Sequence, residues 1–390
     1  MVSKHSMNRR RHRDMLMSCV LLLLDDDDFI NSKGGQVGRK IIRRQRKFVE
    51  SMITELGCCA VRAYRMKFET FNKLHDLLKD KLEDEFNPRS NEFDPMPNGF
   101  ISTKLRLSAA IRFFAGGSVY DIMLTHGISR QSVYDSIYGV VDVIHRETAL
   151  SFNKDGAEFP SHREQEEIAD GFAEMSGAGF KNVMMALDGM LVWTIQPSKK
   201  ECDYLKIGQR CFHCYRKDKY GWLLLAGCDH KTKFRWCEIN HPSSTSDYLA
   251  WTTSKVGSEL KNDQSNLIKE GFVIVGDNAF VENMTMVTPV PGLNISEVED
   301  SYNFYVCQLR ITIERAFGIL VHRWGILRRP LSLSSLKVPT FVSALMKLHN
   351  FCVDNDSRHT SRSTASDEAT IQRHAHRARK RNNNKHLISN

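Results

Sequence analysis

The chain has no apolar run long enough to cross a bilayer. Its nearest candidate, MLMSCVLLLL at 15–24, is ten residues long, whereas a spanning helix needs about 20. The run follows Arg9, Arg10, Arg11 and Arg13 and so imitates a secretory leader, but no small-residue cleavage site separates it from Asp25, Asp26, Asp27 and Asp28. It reads as a short helix closed by acids, with secretion as the competing reading and no membrane as partner. A second CxxC is also missing. Cys211 and Cys214 form CFHC, with Cys228, His230, Cys237 and His241 downstream, so a structural zinc site is one reading. The same stretch patterns as strands, whose alternate side chains face opposite sides, and this opposes it. Ten cysteines scattered through the chain suit a reducing compartment.

Lys and Arg outnumber acids at both ends. Residues 1–47 carry 12 Lys/Arg against 5 Asp, and residues 357–390 carry 8 against 2, so the ends hold +7 and +6 of a net +9 and the body is left near −4. Basic character therefore belongs to the ends, which suits phosphate contact or nuclear import, with solvated disorder as the plainer reading. The segment NSKGGQVGRKIIRRQRK at 31–47 is a basic arm or a flexible leader, and RARKRNNNK at 377–385 resembles a nuclear localisation patch.

What is present is a globular body. The 41% apolar content is enough for a full core and for two domains plus tails. From Met66 to Leu82 the spacing of Phe68, Phe71, Leu74, Leu77 and Leu78 predicts a helix, and Pro88, Pro95 and Pro97 mark the loop after it. Helical periodicity returns over Thr103–Ala115. Ser118 and Ser129 stand as caps before segments at 119–125 and 130–144, with Gly127 as the turn between them. Helix, glycine turn, helix is a helix-turn-helix order over about 103–145, and a three-helix bundle that never meets DNA has the same pattern. If it binds DNA, Arg130, Gln131 and Tyr134 on the first turns of the second helix are best placed to reach base edges.

Ser161 and Glu164 form a capping box ahead of a helix to Gly177, with Ile168, Phe172 and Met175 as its expected buried stripe. Strands follow at 181–191, 220–229 and 234–242, then a crossover helix over 246–261 and a strand at 272–275. That β-β-β-α-β-α order is an RNase H-like mixed sheet, in which the first and fourth strands are parallel neighbours. Each delivers a carboxylate near its end, Asp188 in ALDG and Asp277 in VGDNAF. A long helix over 302–328, with Ile313, Phe317, Leu320, Trp324 and Leu327 as its stripe, carries Glu314. Hard oxygen donors of this kind suit Mg²⁺ or Mn²⁺. An ordinary Asp/Asn turn is the bland reading of Asp277 taken alone. Arg310 lies one turn before Glu314 on the same face, where it pairs with the acid or reaches a DNA phosphate. Asp247, in HPSSTSDYLAW, reads as a helix N-terminal charge or as a supporting carboxylate.

ALDG at 186–189, GDNAF at 276–280, IERAFGIL at 313–320 and KLHNFC at 347–352 resemble the PIF/Harbinger transposases, the DDE family 4 endonucleases, over about residues 66–356. The resemblance implies that Asp188, Asp277 and Glu314 are a metal-binding catalytic triad, with 89 positions between the aspartates and 37 from Asp277 to Glu314. It implies a nuclear endonuclease and transposase that cuts and joins DNA at transposon ends, with a helix-turn-helix module, a Myb-like accessory protein and a homo-oligomer on DNA. A domesticated relative that binds DNA or a partner without cutting is the alternative. The expected layout is a basic leader at 1–47, a helical domain at 48–150, an RNase H-like catalytic domain at 151–356 and a basic, disordered tail at 357–390.

Overall fold

The computed structural model describes residues 46–86, 100–262, 265–292 and 295–356. The chain separates into Met1–Arg44 and Gln45–Asn390. The first unit lies outside the described residues, as do the proline loop around Pro88, Pro95 and Pro97 and the basic tail. Among the described residues, no helix is long and apolar enough to cross a membrane.

Helices α1 (Val49–Leu56), α2 (Ala60–Tyr64), α3 (Phe68–Phe86), α4 (Thr103–Phe114), α5 (Val119–His126) and α6 (Arg130–Arg146) come first. Phe71, Leu74, Leu78 and Leu82 bury one face of α3, the stripe that a period of 3.6 residues requires. The hydroxyls of Ser102, Ser118 and Ser129 accept from the amides of Leu105, Tyr120 and Ser132 and so cap α4, α5 and α6. Gly127 ends α5 in the left-handed region at φ 63°, a conformation that glycine reaches without steric cost.

Next come α7 (His162–Met175), β1 (Val183–Trp193), α8 (Lys199–Leu205), β2 (His213–Cys214), β3 (Lys219–Cys228), β4 (Phe234–Pro242), α9 (Asp247–Thr253), α10 (Lys255–Glu259), β5 (Val273–Val275), β6 (Met286–Val287), α11 (Glu297–Arg323) and α12 (Val338–Asn355). In the sheet β3 pairs antiparallel with β1 on one side and with β4 and β2 on the other, while β5 lies parallel to β1 and β6 parallel to β5. The chain is thus a mixed α/β structure with a mixed sheet. Both faces of the sheet are covered. Ala186 and Val192 belong to a core shared with Ile313, Phe317 and Phe341, and Leu187 belongs to a second core with Trp251 and Phe280, the period-two alternation of a strand buried on both sides.

The helical segment and the sheet half share the first of these cores. Phe114 meets Trp324 edge-on at 6.3 Å and Phe341 at 5.5 Å between ring centroids. The KLHNFC segment binds the parts together through polar atoms. The Lys347 ammonium donates to the carbonyl of His145 at 2.6 Å, occupying the open end of α6. His349 Nε2 bonds the Thr232 carbonyl, and the Asn350 amide both accepts from and donates to the backbone of Phe234. A lysine and an asparagine in an apolar helix are therefore clamps for α6 and for the turn between β3 and β4.

Three expectations need correction. The long helix starts at Glu297 and stops at Arg323, because Ser296 and Glu299 form a capping box and Trp324 leaves the helical region. Of its stripe, Ile313, Phe317, Leu320 and Trp324 are buried, whereas Leu327 falls on a following 3₁₀ turn and is only partly covered. The crossover is two short helices rather than one, since Ser254 turns extended and caps the second through the Gly257 amide. Met175, expected in a buried stripe, is exposed at the last position of α7, while Ile168 and Phe172 are buried.

Candidate active site

Parallel pairing of β1 with β5 decides where the aspartates meet. Ala186 is opposite Val275, so Asp188 and Asp277 each stand two residues further along neighbouring chains. Asp188 remains in β1, opposite Ala226 of β3. Asp277 lies just past β5 in a turn where its carboxylate accepts from the Ala279 amide at 2.9 Å. By strand alternation Asp188 shares the face of Ala186, the one that α11 covers. From that helix Arg310 reaches Glu314 at 2.6 Å and comes to 3.8 Å from Asp188.

Asp188 is held by two opposed influences. Burial pushes its carboxyl up to about 6, helped by the charges of Asp277 and Asp247, while the hydrogen bond from the Gly189 amide and the Arg310 guanidinium pull it down. Burial also works against the charge of Arg310, yet Glu314 and Asp188 outweigh it and hold the guanidinium's proton more tightly than usual. Arg310 therefore supplies the cationic charge that this crowd of acids requires.

Asp247 joins the site from the other side of the sheet. It opens α9, behind its cap Ser246, so it is a helix N-terminal charge as expected. Its carboxylate also lies on Gly189: a Cβ built on that glycine would fall 2.2 Å from Asp247 Oδ1. Any side chain at 189 would expel Asp247, which explains the glycine beside Asp188. Burial, followed by the charge of Asp277, pushes the Asp247 carboxyl up, and Arg216 and Lys217 pull it down. The charge of Asp277, at the strand end, acts on both Asp188 and Asp247.

A divalent cation fits the chemistry of this donor set, because each of these acids offers hard carboxylate oxygen and burial raises the cost of leaving the charges of Asp188 and Asp247 unbalanced. The acids are not already gathered as ligands. Among the described residues no group of three or more His, Cys, Asp or Glu side chains has metal-holding geometry, and Glu314 is turned to Arg310. Cys211 is exposed and Cys214 half-buried in β2.

Of the expected DNA-contact residues, Arg310 lies at the carboxylates, and the base-reading ones lie elsewhere, at the start of α6. Arg130 stacks its guanidinium 5.6 Å from the Tyr120 ring centroid, Gln131 donates to Asp135, and Tyr134 packs half-buried on the core. Beyond them one face of α6 is buried through Ser136, Ile137, Val140, Val141, Val143 and Ile144, while the first turns and the closing His145 and Arg146 present side chains outward. Two neighbours of the carboxylates had no clear signal in the sequence, Gly189 as a seat for Asp247 and the Arg216–Lys217 pair.

Residues 187–350 match a family model described as DDE superfamily endonuclease. The matched span takes in Asp188, Asp277, Glu314 and the LHN of α12, and it supports that superfamily, whose members are phosphodiester-cutting nucleases acting on DNA. No curated protein and no solved structure matches the chain.

Proposed function

We propose that this chain is a metal-dependent DNA endonuclease and strand transferase of the PIF/Harbinger kind, with Asp188, Asp277 and Glu314 as its catalytic carboxylates. The observation that carries the reading is the β1–β5 register, which sets Asp188 beside Asp277, together with Arg310 linking Asp188 to Glu314. Asp188, Asp277 and Glu314 would hold Mg²⁺ or Mn²⁺, a Lewis acid that in such sites supports in-line displacement at a phosphodiester. The protein contributes the rest. In this reading β1 and the turn after β5 would hold the aspartates, α11 would supply Glu314, and Arg310 would be free to meet a substrate phosphate if Glu314 held a cation. Asp188, whose carboxyl burial raises to about 6, would have to be ionised to serve as a ligand. The Arg310–Glu314 contact is also what favours the second reading, a domesticated protein that binds DNA without cutting, because there the pair would be the working state.

The start of α6, with Arg130, Gln131 and Tyr134, is the proposed base-reading surface, and Arg310 a phosphate contact. The resemblance adds a nuclear location, a Myb-like accessory protein and a homo-oligomer on DNA; the basic stretch at 377–385 supports the first. The test is cleavage or excision of a terminal-inverted-repeat substrate by purified protein with and without Mg²⁺. Metal-dependent cutting that disappears in Asp188→Asn, Asp277→Asn and Glu314→Gln is expected. DNA binding with no cutting by the wild type selects the second reading.

A further inference from the structure

The chain between α8 and β3 makes an ordered hairpin whose tip is basic and aromatic. β2 pairs with β3 through His213 opposite Tyr220 and Cys214 opposite Lys219. Its turn is closed by the Lys217 amide on the Cys214 carbonyl at 3.1 Å, with Asp218 in the left-handed region at φ 50°, which Asp tolerates better than most residues. The His213 ring supports the turn from beneath: it bonds Asp218 at 3.1 Å and meets Tyr215 edge-on at 4.8 Å. Tyr215 is nevertheless 75% exposed. Arg216 and Lys217 are exposed, and neither has an ion-pair partner among the described residues. An ordered turn that holds a bare tyrosine and two unpaired cations in water does nothing for the core.

Its position relates it to the carboxylates. The Ser244 amide donates to the Cys211 carbonyl at 3.0 Å, and the Ser243 hydroxyl to the Phe212 carbonyl at 2.7 Å. The base of the hairpin is thus bonded to the loop that carries Asp247, whose carboxylate rests on Gly189 beside Asp188. Lys219 stacks 4.0 Å from the ring centroid of Trp193, at the far end of β1. That is five residues beyond Asp188, on the order of 16 Å along the strand, or about five phosphate steps of one DNA strand.

We propose that Tyr215, Arg216 and Lys217 form a DNA-contacting element beside the carboxylate crevice, an inference that rests on the nuclease reading above. Arg216 and Lys217 neutralise phosphates of the bound strand, and Tyr215 offers its face to a sugar or base. The hairpin then aligns DNA across the site without touching the metal ligands.

The test is binding of the full-length protein to a short fluorescent DNA duplex in EDTA, where metal-dependent cutting is absent, over a series of salt concentrations. Replacing Arg216 and Lys217 together by Ala, and separately by Gln to keep chain length, is expected to weaken binding and to lower the log–log salt slope by about two. Tyr215→Ala is expected to weaken it about tenfold with the slope unchanged. Calorimetric Mn²⁺ affinity should stay at the wild-type value in Tyr215→Ala, which leaves the charges around Asp247 in place. An unchanged slope in both double variants overturns the proposal. So does an equal loss when the exposed Lys73 and Lys79 of α3 are replaced instead, which would reduce the effect to net charge. Wild-type protein that binds through the hairpin but never cuts with Mg²⁺ refutes the nuclease reading alone, whereas Mg²⁺-dependent cutting with an unchanged slope refutes the hairpin alone.

Discussion

At the residue scale the site is a balance of buried charge. Asp188 keeps its proton to about pH 6 against an ordinary 3.8 because burial disfavours its anion. Between those values the folded chain binds more protons than the unfolded one, so metal-free stability falls as pH rises through the window. Asp188→Asn removes that cost. We expect it to raise the stability of metal-free protein at pH 7 by about 1–3 kcal/mol, with the gap closing below pH 4, and thermal unfolding across pH checks this. Its calorimetric Mn²⁺ affinity should fall at the same time. Arg310→Ala should leave Mn²⁺ affinity unchanged or tighter, since Glu314 is freed from its 2.6 Å partner, while DNA affinity drops. A Glu314→Gln protein that binds Mn²⁺ as well as wild type would remove Glu314 from the site.

At the scale of elements, the turn between α5 and α6 depends on a neutral histidine. The Tyr64 hydroxyl bonds Ser108, Ser108 bonds His126 Nε2, and His126 Nδ1 bonds the Ile122 carbonyl, at 2.9, 2.9 and 3.0 Å. Burial holds His126 down to about 4 against an ordinary 6.5. The unfolded chain therefore takes up the proton first, and stability present above pH 6.5 is lost as pH falls toward 4, by about 3 kcal/mol. Chemical denaturation of wild type and His126→Gln should show that acid limb in the former and a flatter one in the latter. On α12, Asn350→Ala strips the Phe234 amide and carbonyl of their side-chain partners. It should cost about 2–3 kcal/mol with Mn²⁺ affinity retained in the folded fraction, which marks the motif as structural.

At the scale of the whole molecule, charge and chemistry are separated. The carboxylate cluster belongs to a body near −4, and the ends carry the +7 and +6 that would attract DNA. Removing residues 1–47 and 357–390 should flatten the salt dependence of DNA affinity by about one log–log unit for each phosphate the ends no longer neutralise, with sequence preference kept. Loss of that preference while the 101–145 helices stay folded would take the base-reading role away from α6. The shared core of Phe114, Trp324 and Phe341 also predicts that residues 48–150 and 151–356 unfold together, which coincident denaturant transitions by circular dichroism and tryptophan fluorescence would show.

The sequence alone determined what local rules control. Alternating or continuous apolar runs specified β1, β3, β4 and β5, and Ser161 with Glu164 announced α7. Asp188, Asp277 and Glu314 were each ambiguous by local rules, since a lone carboxylate at a strand end or beside a buried stripe is also an ordinary turn or surface acid, and it was the resemblance that drew them together. Even the start of α11 is legible in Ser296 and Glu299, a capping signal masked by the neighbouring prolines. Tertiary structure decided what depends on approach between distant segments. Only the fold seats Asp247 on Gly189, across the sheet from Glu314 and 58 positions later in the chain. Only packing turns Lys347 and Asn350 from polar residues in an apolar helix into clamps on α6 and on the β3–β4 turn. Arg310 is one turn from Glu314 in any helix, but its second partner, Asp188, exists only because α11 crosses the sheet there.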